Sequence, residues 1–483
     1  MFKQPPPYPG PSQDSSRSLL ETIWEAARGA HSQTESVSFT GKGHLPSFFA
    51  VTELAAASMG AAGLAVGSLV HALETANGRG APQNMTVQVD RRLASFWFAT
   101  TLRPESWKPP KLDELPAADY LAQDGWLRLH TNASHHRAAA LRTLGCSANP
   151  EAMARAVSGW KRDELVASVI AEGGCAATML SVNEWLHHPQ GQAVEQEPLI
   201  DWVDGEQGHP GGWKYDPGQP LAGIKILDMT RVLAGPAATR MLAGLGAQVL
   251  RLDAPMWNES NAPEMTLGKR CAALDLRLAE QRAHWIKLLS EADVLVHGYR
   301  SDALVKMGLN AETRQRIRPG LVDVSLDAYG FTGPWSNRRG FDSLVQMSIG
   351  IAQLGQELSQ SARPEPLPVQ ALDHATGYLL ATAVLKGLEK RVQTGIGSIA
   401  RASLARTGAL LLTTVDPLGL ERPALAPETP KDWSDTVELT VWGPARRVKW
   451  PVTVSGINMQ WSLGAGPLKR DQANWHSSIL STL

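Results

Sequence analysis

An excess of charge of one sign and closely spaced cysteines are both missing from this 483-residue sequence. Lys and Arg (46) nearly balance Asp and Glu (47), so the chain has no broad field that would hold nucleic acid or an anionic membrane. Cys146, Cys175 and Cys271 are far apart and show no CxxC spacing, which argues against a disulfide framework and a zinc site. The sequence therefore predicts a cytoplasmic protein without a metal centre, in which local cations bind any anionic ligand.

A secretory signal is lacking as well. Residues 1–18, "MFKQPPPYPGPSQDSSRS", are rich in Pro and Ser and have no basic start followed by an apolar run, so we interpret them as a loose tail. The apolar window 54–73 is long enough to span a membrane. It consists mostly of Ala and Gly, which favours a helix packed in a protein core.

Gly, Pro and Asp are concentrated in residues 202–222, which predicts a connection between two structured parts of the chain. Five segments follow from this boundary. They are a flexible tail and helix (1–45), a smaller α+β region (46–205), a linker (206–222), a Rossmann-like domain (223–415) and a C-terminal wrapping segment (416–483).

Apolar runs and helical stretches alternate beyond this connection. Strands are predicted at 223–229, 247–254, 292–299 and 320–330, and helices at 236–246 and 281–291. This alternation predicts an α/β fold in which helices flank a parallel sheet. A nicotinamide site is not predicted, because Gly235 is followed by Pro236 instead of the second glycine that a dinucleotide turn needs.

The remaining parts of the chain are less regular. Ala-rich helices are predicted over about 54–76 and 150–172, and a hairpin at 124–132, where Asp-Gly is a turn signal. Two strand-like stretches, 437–443 and 448–454, follow a Pro-rich segment and are interpreted as edge strands.

One stretch of the N-terminal part resembles a stretch near the end of the Rossmann-like domain. In both, a small-residue helix leads through a Gly-x-Gly turn into a strand. Superposing the turns at 78–80 and 395–397 places Ala56 opposite Asp373, so that only one copy has an acid there. A partial duplication and a chance likeness of two Ala-rich helices are both compatible with this pattern.

The stretch "ALDHATGYLLATAVLKG" (371–387) places Asp373 at the start of a predicted helix. Asp at this place is commonly an N-cap. The same place suits a nucleophile, because the helix dipole and unpaired N–H groups keep a carboxylate ionised and stabilise charge on a thioester oxygen. The small neighbours Ala375, Thr376 and Gly377 leave room for a substrate. The residues by themselves leave both roles open.

Five motifs, in this order, resemble the N-terminal half of family III CoA-transferases, the group of formyl-CoA transferase, carnitine CoA-transferase, bile-acid-inducible protein F and α-methylacyl-CoA racemase. They are "PLAGIKILDMTRVLAGPAATRMLAGLGAQVLRLDAP", "GKRCAALDL", "ADVLVHGYRSDALVKMGL", "RRGFDSLVQ" and "ALDHATGYLLATAVLKGLEKRVQTGIG". The resemblance implies a homodimeric transferase whose substrates are acyl-CoA and small carboxylic acids. It implies no permanently bound cofactor, since coenzyme A enters as a thioester substrate.

The resemblance also implies site residues. Asp373 corresponds to the family's nucleophile, which attacks the acyl-CoA thioester and forms covalent aspartyl intermediates. The positions that correspond to CoA contacts are Arg231, Val232, Leu233, Ala234, Arg251, Lys269, Arg270, Tyr299, Lys306 and Met307. For each of these residues a solvated charge or a packed side chain is the alternative.

The run Gly340-Phe341-Asp342 separates two chemistries. Racemases of this family carry a histidine where Phe341 stands, because exchange of an α-proton needs a base on each face. CoA transfer is therefore the predicted activity; a racemase or isomerase of the same fold and a non-catalytic CoA-binding relative are the alternatives. His374 is expected to be structural. Adjacent histidines at 135–136 and 187–188 lack the spacing of a metal site.

The chain departs from the family pattern in two respects. His297-Gly298 and Ser301-Asp302 replace the family's usual Glu-Asn and Pro-Gly. The features of the family's small domain precede the Rossmann-like half instead of following it. We therefore interpret the chain as a rearranged or partly duplicated member, and the sequence is compatible with both a homodimer and an intramolecular pseudo-dimer.

Overall fold

Seven strands of the computed structural model form one sheet, in the order β10-β9-β8-β11-β12-β13-β7. The structure describes residues 15–80, 85–109 and 117–475; the predicted loose tail therefore lies mostly outside the described residues. The strands are β1 Val37–Thr40, β2 Val87–Asp90, β3 Leu102–Pro104, β4 Ala118–Ala122, β5 Gly125–Leu129, β6 Ala176–Thr178, β7 Asp201–Gln207, β8 Lys225–Met229, β9 Gln248–Asp253, β10 Lys269–Ala273, β11 Val294–His297, β12 Val322–Asp327, β13 Ile396–Ser403, β14 Glu438–Thr440, β15 Gly443–Arg447 and β16 Val452–Val454.

Helices surround this sheet and form the rest of the core. They are α1 Ser15–Ala26, α2 Val51–Ala76, α3 Arg91–Trp97, α4 Ser134–Leu144, α5 Pro150–Val157, α6 Arg162–Ala171, α7 Val182–His187, α8 Pro189–Gln196, α9 Ala234–Gly244, α10 Ala262–Met265, α11 Ala279–Ser290, α12 Ser301–Val305, α13 Ala311–Ile317, α14 Asp342–Ser348, α15 Ile351–Ser359, α16 Ala371–Thr394 and α17 Leu404–Leu412.

The topology of the large sheet confirms the predicted α/β class. Strands β8 to β13 are parallel, and β7 pairs antiparallel with β13 at one edge. From β8 the chain builds outwards through β9 to β10, and it then returns to place β11 on the other side of β8. The strand order therefore reverses between β8 and β11, and ligands of such sheets bind beyond the carboxyl ends of the strands at this point.

Two of the predicted elements need correction. The connection predicted at 202–222 begins as strand β7, whose side chains are mostly half-buried or exposed because it lies at the sheet edge, so it lacks an apolar run. The helix predicted over 150–172 is two helices, α5 and α6, since the chain turns at Gly159.

A smaller sheet of β4, β5 and β6 stands beside the large one. All its pairs are antiparallel, and the predicted hairpin is confirmed, because Ala122 pairs with Gly125 across a two-residue turn. Helices α4, α5 and α6 cover this sheet and share an apolar cluster with it. Strand β6 packs against α14, which brings the small sheet to the carboxyl ends of the main strands.

The order α2-β2-α3 repeats the order α16-β13-α17, and the two long helices pack against each other. The contacts are reciprocal: Phe98, which follows α3, stacks on His374 of α16, and Thr414, which follows α17, accepts a hydrogen bond from the N–H of Ala50 before α2. This arrangement favours a partial duplication over a chance likeness.

The structure corrects the residue that lies opposite Asp373. Asp373 is the third residue of α16 and Glu53 the third residue of α2, so both copies carry an acid at the helix start. The number of residues from the helix start to the Gly-x-Gly turn is larger in the first copy. Aligning the two turns therefore places Ala56, instead of Glu53, opposite Asp373.

Helix α2 is the one helix in the described part of the chain that is long and apolar enough to cross a membrane. Of the 18 residues in its most apolar window, 94% are buried inside the protein. The prediction of a core helix is thereby confirmed. Two of the C-terminal strands agree with the prediction of edge strands, since β14 and β16 each lie at the edge of a three-stranded sheet. Strand β15 lies mostly between the two predicted stretches and is the middle strand of its sheet, between β14 and β3.

Candidate active site

Asp373 lies inside the first turn of α16 and is not its N-cap. The N-cap is Gln370, whose side chain makes no capping hydrogen bond. The carboxylate of Asp342, at the start of α14, serves this helix end instead: its Oδ2 accepts the backbone N–H of Asp373 at 2.9 Å. The Gln346 amide donates to the other oxygen of Asp342. Asp342 thus fixes the backbone of Asp373 and leaves the Asp373 carboxylate free of a capping role.

The N-terminus of α9 lies against the same turn. A Cβ atom at Gly377 would stand only 2.5 Å from the carbonyl oxygen of Ala234, so glycine permits this close approach of the two helices. The backbone N–H of Ala234 acts on the Asp373 carboxylate and lowers its pKa. A helix N-terminus and one of its N–H groups, that of Ala234, therefore face the carboxylate, as stabilisation of a developing negative charge requires.

Asp373 and Asp342 form a buried pair of carboxyl groups. Burial, and then the negative charge of Asp342, raise the pKa of Asp373 well above its usual value. Burial also raises the pKa of Asp342, to about 6, although the N–H of Asp373 and the Gln346 amide act in the opposite direction. Of the two groups, Asp342 is the better stabilised as an anion, so it ionises first.

Two cavities meet at Asp373, whose exposure is 7%. The first cavity, of about 730 Å³, lies between the small sheet and α16 and is lined by residues that include Arg128, His130 and Phe341. The second cavity, of about 360 Å³, lies at the carboxyl ends of β8, β11 and β12. The acid is therefore accessible from the small region and from the switch point of the main sheet.

The turn after β8 separates these cavities. Val232 has φ +65° there, a left-handed conformation that is uncommon for a β-branched residue. Glu259 accepts the N–H of Val232 at 3.0 Å, and Asn261 donates to its carbonyl oxygen. Val232 lines both cavities, so this strained turn shapes the site.

Five of the predicted CoA contacts lie at the site. Arg231, Val232, Ala234 and Tyr299 line the second cavity, and Leu233 lines the first. The guanidinium of Arg231 lies 4.5 Å from the ring centre of Trp257 and 5.6 Å from that of Tyr299.

The other five predicted contacts line neither cavity. Arg251 is fully buried and pairs with Asp253 and Glu259. Lys269 is fully buried and pairs with Asp228 at 2.9 Å. Neither cation reaches a surface that CoA phosphates can approach, so this geometry does not support their predicted role.

The remaining three residues are engaged elsewhere. Arg270 donates to the carbonyl oxygens of Gln472 and Asn474 in the C-terminal segment. Lys306 is exposed and pairs with Asp302. Met307 is partly buried against the apolar cluster that α11 forms with the sheet, on the face opposite α9 and α16.

Three arginines that sequence reasoning did not select lie at the second cavity. They are Arg300, Arg338 and Arg339. All three also line a neighbouring cavity of about 730 Å³ under α6, so together they form a basic groove that leads away from Asp373. The adjacent arginines of "RRGFDSLVQ", which follow the end of β12, are the sequence feature that indicates this groove.

His130 contributes an imidazole close to Phe341. The two rings are parallel, with centres 3.8 Å apart and planes inclined by 5°. Burial, and then the charge of Arg128, lower the pKa of His130 to about 4, so the ring is neutral at physiological pH. His374 stacks on Phe98, and burial followed by the charge of Arg240 lowers its pKa to about 3.

The corresponding acid in α2 has a different environment. Glu53 lies 2.7 Å from Arg91 and 2.8 Å from His44, with Arg422 at 3.6 Å. Burial raises the pKa of Glu53, but the hydrogen bond and charge of His44 and the charge of Arg91 outweigh it, so the pKa lies below its usual value. Glu53 is thus held by cations, whereas Asp373 lies beside a second acid.

Comparisons with known proteins match this part of the chain. Residues 221–417 match the model of CoA-transferase family III. The chain is 30% identical over 240 residues to an acyl-CoA transferase of Fusarium pseudograminearum, and the matched region covers 43% of this chain and 52% of that protein. It is 32% identical over 212 residues to succinyl-CoA:glutarate CoA-transferase of Mus musculus, and the matched region covers 41% of this chain and 48% of that protein.

A solved structure, that of a CaiB/BaiF family protein from Brucella suis, covers 47% of this chain and 65% of that chain with 24% identity and a TM-score of 0.36. The chain spans about half the length of the curated relatives it matches. The resemblance to family III CoA-transferases is confirmed. The matched residues contain Asp373 and the switch point but not the small sheet.

Proposed function

We propose that this chain, whose residues 221–417 match CoA-transferase family III, moves CoA from an acyl-CoA to a carboxylic acid through a covalent intermediate on Asp373. The observation that carries the proposal is the position of Asp373, which lines both cavities next to the N-terminus of α9. A thioester that enters through the second cavity brings its carbonyl carbon to this carboxylate.

The reaction consists of four transfers between acyl carbons. A carboxylate oxygen of Asp373 attacks the thioester carbonyl, and the CoA thiolate leaves, so that an acyl-aspartyl anhydride forms. The thiolate then attacks the aspartyl carbonyl and releases the first acid. The second acid attacks the aspartyl carbonyl of this thioester, so that the CoA thiolate leaves and a new anhydride forms. The thiolate finally attacks the acyl carbon that the second acid brought into this anhydride, which forms the new acyl-CoA and displaces the Asp373 carboxylate. Asp373 regains its carboxylate, and no water is consumed.

The N-terminus of α9 supports the oxyanion of each tetrahedral intermediate. The N–H of Ala234 already faces the Asp373 carboxylate, and donors held in place before the reaction cost no reorganisation when the charge develops. The cations Arg231, Arg300, Arg338 and Arg339 line the second cavity and its continuation, where the CoA phosphates need positive charge.

One chain supplies both sides of the first cavity. The small sheet contributes Arg128 and His130, and the Rossmann-like domain contributes Asp342 and Asp373. This arrangement supports activity within a single protomer. The N-terminal repeat, α2-β2-α3, would then occupy a place that a second copy of the chain would otherwise fill. The homodimer implied by the family resemblance stays a prediction.

The proposal is tested by incubating the protein with one acyl-CoA and a panel of carboxylic acids. Mass spectrometry should detect a new acyl-CoA for at least one acid, formed in equal amount to the loss of the donor. Hydrolysis to free CoA without any new thioester would contradict CoA transfer. Solvent deuterium at the α-carbon of recovered donor would instead favour racemisation.

Replacing Asp342 with asparagine should move the pH dependence of turnover to lower pH. Attack requires ionised Asp373, and the negative charge of Asp342 is the second-largest factor, after burial, that raises the pKa of Asp373. The asparagine side chain would keep an oxygen that accepts the Asp373 N–H but would remove that charge. The rise of kcat/KM should then shift down by about one pH unit or more.

The measurement is kcat/KM between about pH 5 and about pH 9. Asp342→Ala serves as the second variant, because it removes the charge and the hydrogen-bond acceptor together. If charge is the cause, both variants shift the profile while only alanine lowers its plateau strongly. Identical profiles for wild type and Asp342→Asn would refute the electrostatic coupling.

A further inference from the structure

The second cavity contains a buried acid besides Asp373, and this acid is Asp327, the last residue of β12. It is 6% exposed. Its Oδ1 accepts the backbone N–H of Tyr329 at 2.9 Å, which closes a turn after the strand. Its other oxygen, Oδ2, makes no hydrogen bond within the described residues and is not sealed from the surface. Because Asp327 lines the cavity, this oxygen is open to a ligand there.

Asp327 is a neutral acid at physiological pH. Burial is the largest cause that raises its pKa to about 8; the N–H of Tyr329 acts in the opposite direction, and the charge of Glu197 adds to the rise. In the described part of the chain no arginine of the cavity forms an ion pair with it; Arg300, for example, lies 3.7 Å from Asp302. A protonated carboxyl group has both an O–H donor and a carbonyl acceptor, so it suits an uncharged polar ligand.

Asp327 lies along the route from the basic groove to Asp373. The segment 338–342 begins with the two adjacent arginines of the groove and ends at the acid that accepts the N–H of Asp373. Ala328, next to Asp327, packs against the middle of this segment, since a Cβ atom at Gly340 would stand only 2.5 Å from the Cβ of Ala328. A CoA whose phosphates lie among the arginines and whose thioester reaches Asp373 therefore passes its pantetheine arm over Asp327.

We propose that Asp327 binds an amide group of the pantetheine arm of CoA. This inference rests on the proposed function and adds a residue that recognises the uncharged part of the substrate. Each amide of the arm has a carbonyl acceptor and an N–H donor, which match the donor and the acceptor of a protonated carboxyl group. The cavity wall beside Asp327 is formed by the apolar residues Leu326, Ala328 and Leu404, so Asp327 supplies the hydrogen bond that a desolvated amide needs there.

Two substitutions separate this contact from the turn that Asp327 closes. Asp327→Ser keeps an oxygen that can accept the N–H of Tyr329 but lacks the second oxygen. Asp327→Asn keeps the turn and both a donor and an acceptor, and it cannot ionise. The Kd for CoA, measured by calorimetry, should rise about 3- to 10-fold in Asp327→Ser, the range of one uncharged hydrogen bond, and should stay within about twofold in Asp327→Asn.

A second ligand shows which part of CoA the residue contacts. Adenosine 3′,5′-bisphosphate lacks the pantetheine arm, so wild type and Asp327→Ser should bind it equally. During turnover, Asp327→Ser should raise the KM for acyl-CoA by the same factor as the Kd and leave kcat close to the wild-type value, because the arm lies away from the reacting carbonyl.

Asp216→Ser is the matched control. The Oδ1 of Asp216 accepts the N–H of Gly218 at 2.9 Å in a turn of the same kind. Asp216 is exposed, however, and lines none of the three cavities described above. Its substitution should leave the Kd for CoA unchanged.

Four results would overturn the inference. Equal affinity of wild type and Asp327→Ser for CoA would exclude the contact. Equal weakening in Asp327→Asn and Asp327→Ser would show that a negative charge is needed. Equal weakening of CoA and of adenosine 3′,5′-bisphosphate would assign Asp327 to the fold or to the nucleotide end. A fall in kcat at unchanged KM would assign it to the chemical step. Failure of wild type to bind CoA is distinguishable from these, since it overturns the proposed function itself.

Discussion

Replacement of Asp373 with asparagine should reduce CoA transfer by about a thousandfold or more, which corresponds to about 4 kcal/mol of lost transition-state stabilisation. The amide keeps the size of the side chain but lacks a nucleophilic carboxylate oxygen. Asp373 makes no capping hydrogen bond to α16, whose first turn is served by Asp342, so the helix should survive the change. CoA binding, measured by calorimetry, should therefore be retained while turnover is lost.

Two further measurements separate loss of the nucleophile from general damage. Wild type incubated with acyl-CoA and then hydroxylamine should show a modified peptide that contains Asp373, and the variant should not. Glu53→Gln is the matched control, because Glu53 occupies the same place in α2 but is held by Arg91 and His44. This control should form the adduct. Wild-type turnover in Asp373→Asn would exclude the covalent mechanism.

The parallel part of the sheet was predictable because its strands are buried. Strands β8, β9, β11 and β12 are short runs in which at least half of the residues are apolar, and such runs separated by helices leave few topologies. Strand β7 was missed for the converse reason: it pairs on one side only, and its residues Asp204 and Glu206 face solvent. The local pattern of apolar residues therefore indicates which strands are buried. Strand β7 is identified as a strand only by its pairing with β13.

The site could be predicted only where one motif determines it. Asp373 was selected from a helix start and a family motif, and the strand-end turn at Val232 was selected from the same resemblance. The cavity wall formed by Arg128 and His130 depends on how the small sheet packs against α14, which is a contact between segments far apart in sequence. The local signal in this region, an Asp-Gly turn alone, cannot specify such packing.

The cations show the same limit. Lys269 and Arg251 are charged residues at strand positions, and the family resemblance implied that they contact CoA. In the fold, both strands lie in the middle layer, so the side chains are buried and find carboxylates there. Charge in a sequence therefore indicates a ligand contact only after burial is known.

Replacement of Lys269 with methionine should destabilise the fold by about 3–5 kcal/mol, the usual cost of leaving one member of a buried ion pair without its partner. The Lys269 ammonium group donates to Asp228 at 2.9 Å, to the Pro236 carbonyl at 2.9 Å and to Thr239 at 2.6 Å. It thereby joins the end of β8 to α9. Urea unfolding should show a lower midpoint, while the KM for acyl-CoA of the folded fraction should stay close to the wild-type value.

Two comparisons distinguish this structural role from phosphate binding. Lys306→Met removes a lysine whose side chain is 72% exposed and pairs with Asp302, and it should change stability by less than about 0.5 kcal/mol. The double variant Asp228→Asn, Lys269→Met should recover part of the loss, because the buried carboxylate that Lys269 neutralises is then absent. Wild-type stability of Lys269→Met together with a raised KM for acyl-CoA would instead return Lys269 to the CoA site, since a group that holds only phosphate contributes nothing to the unliganded fold.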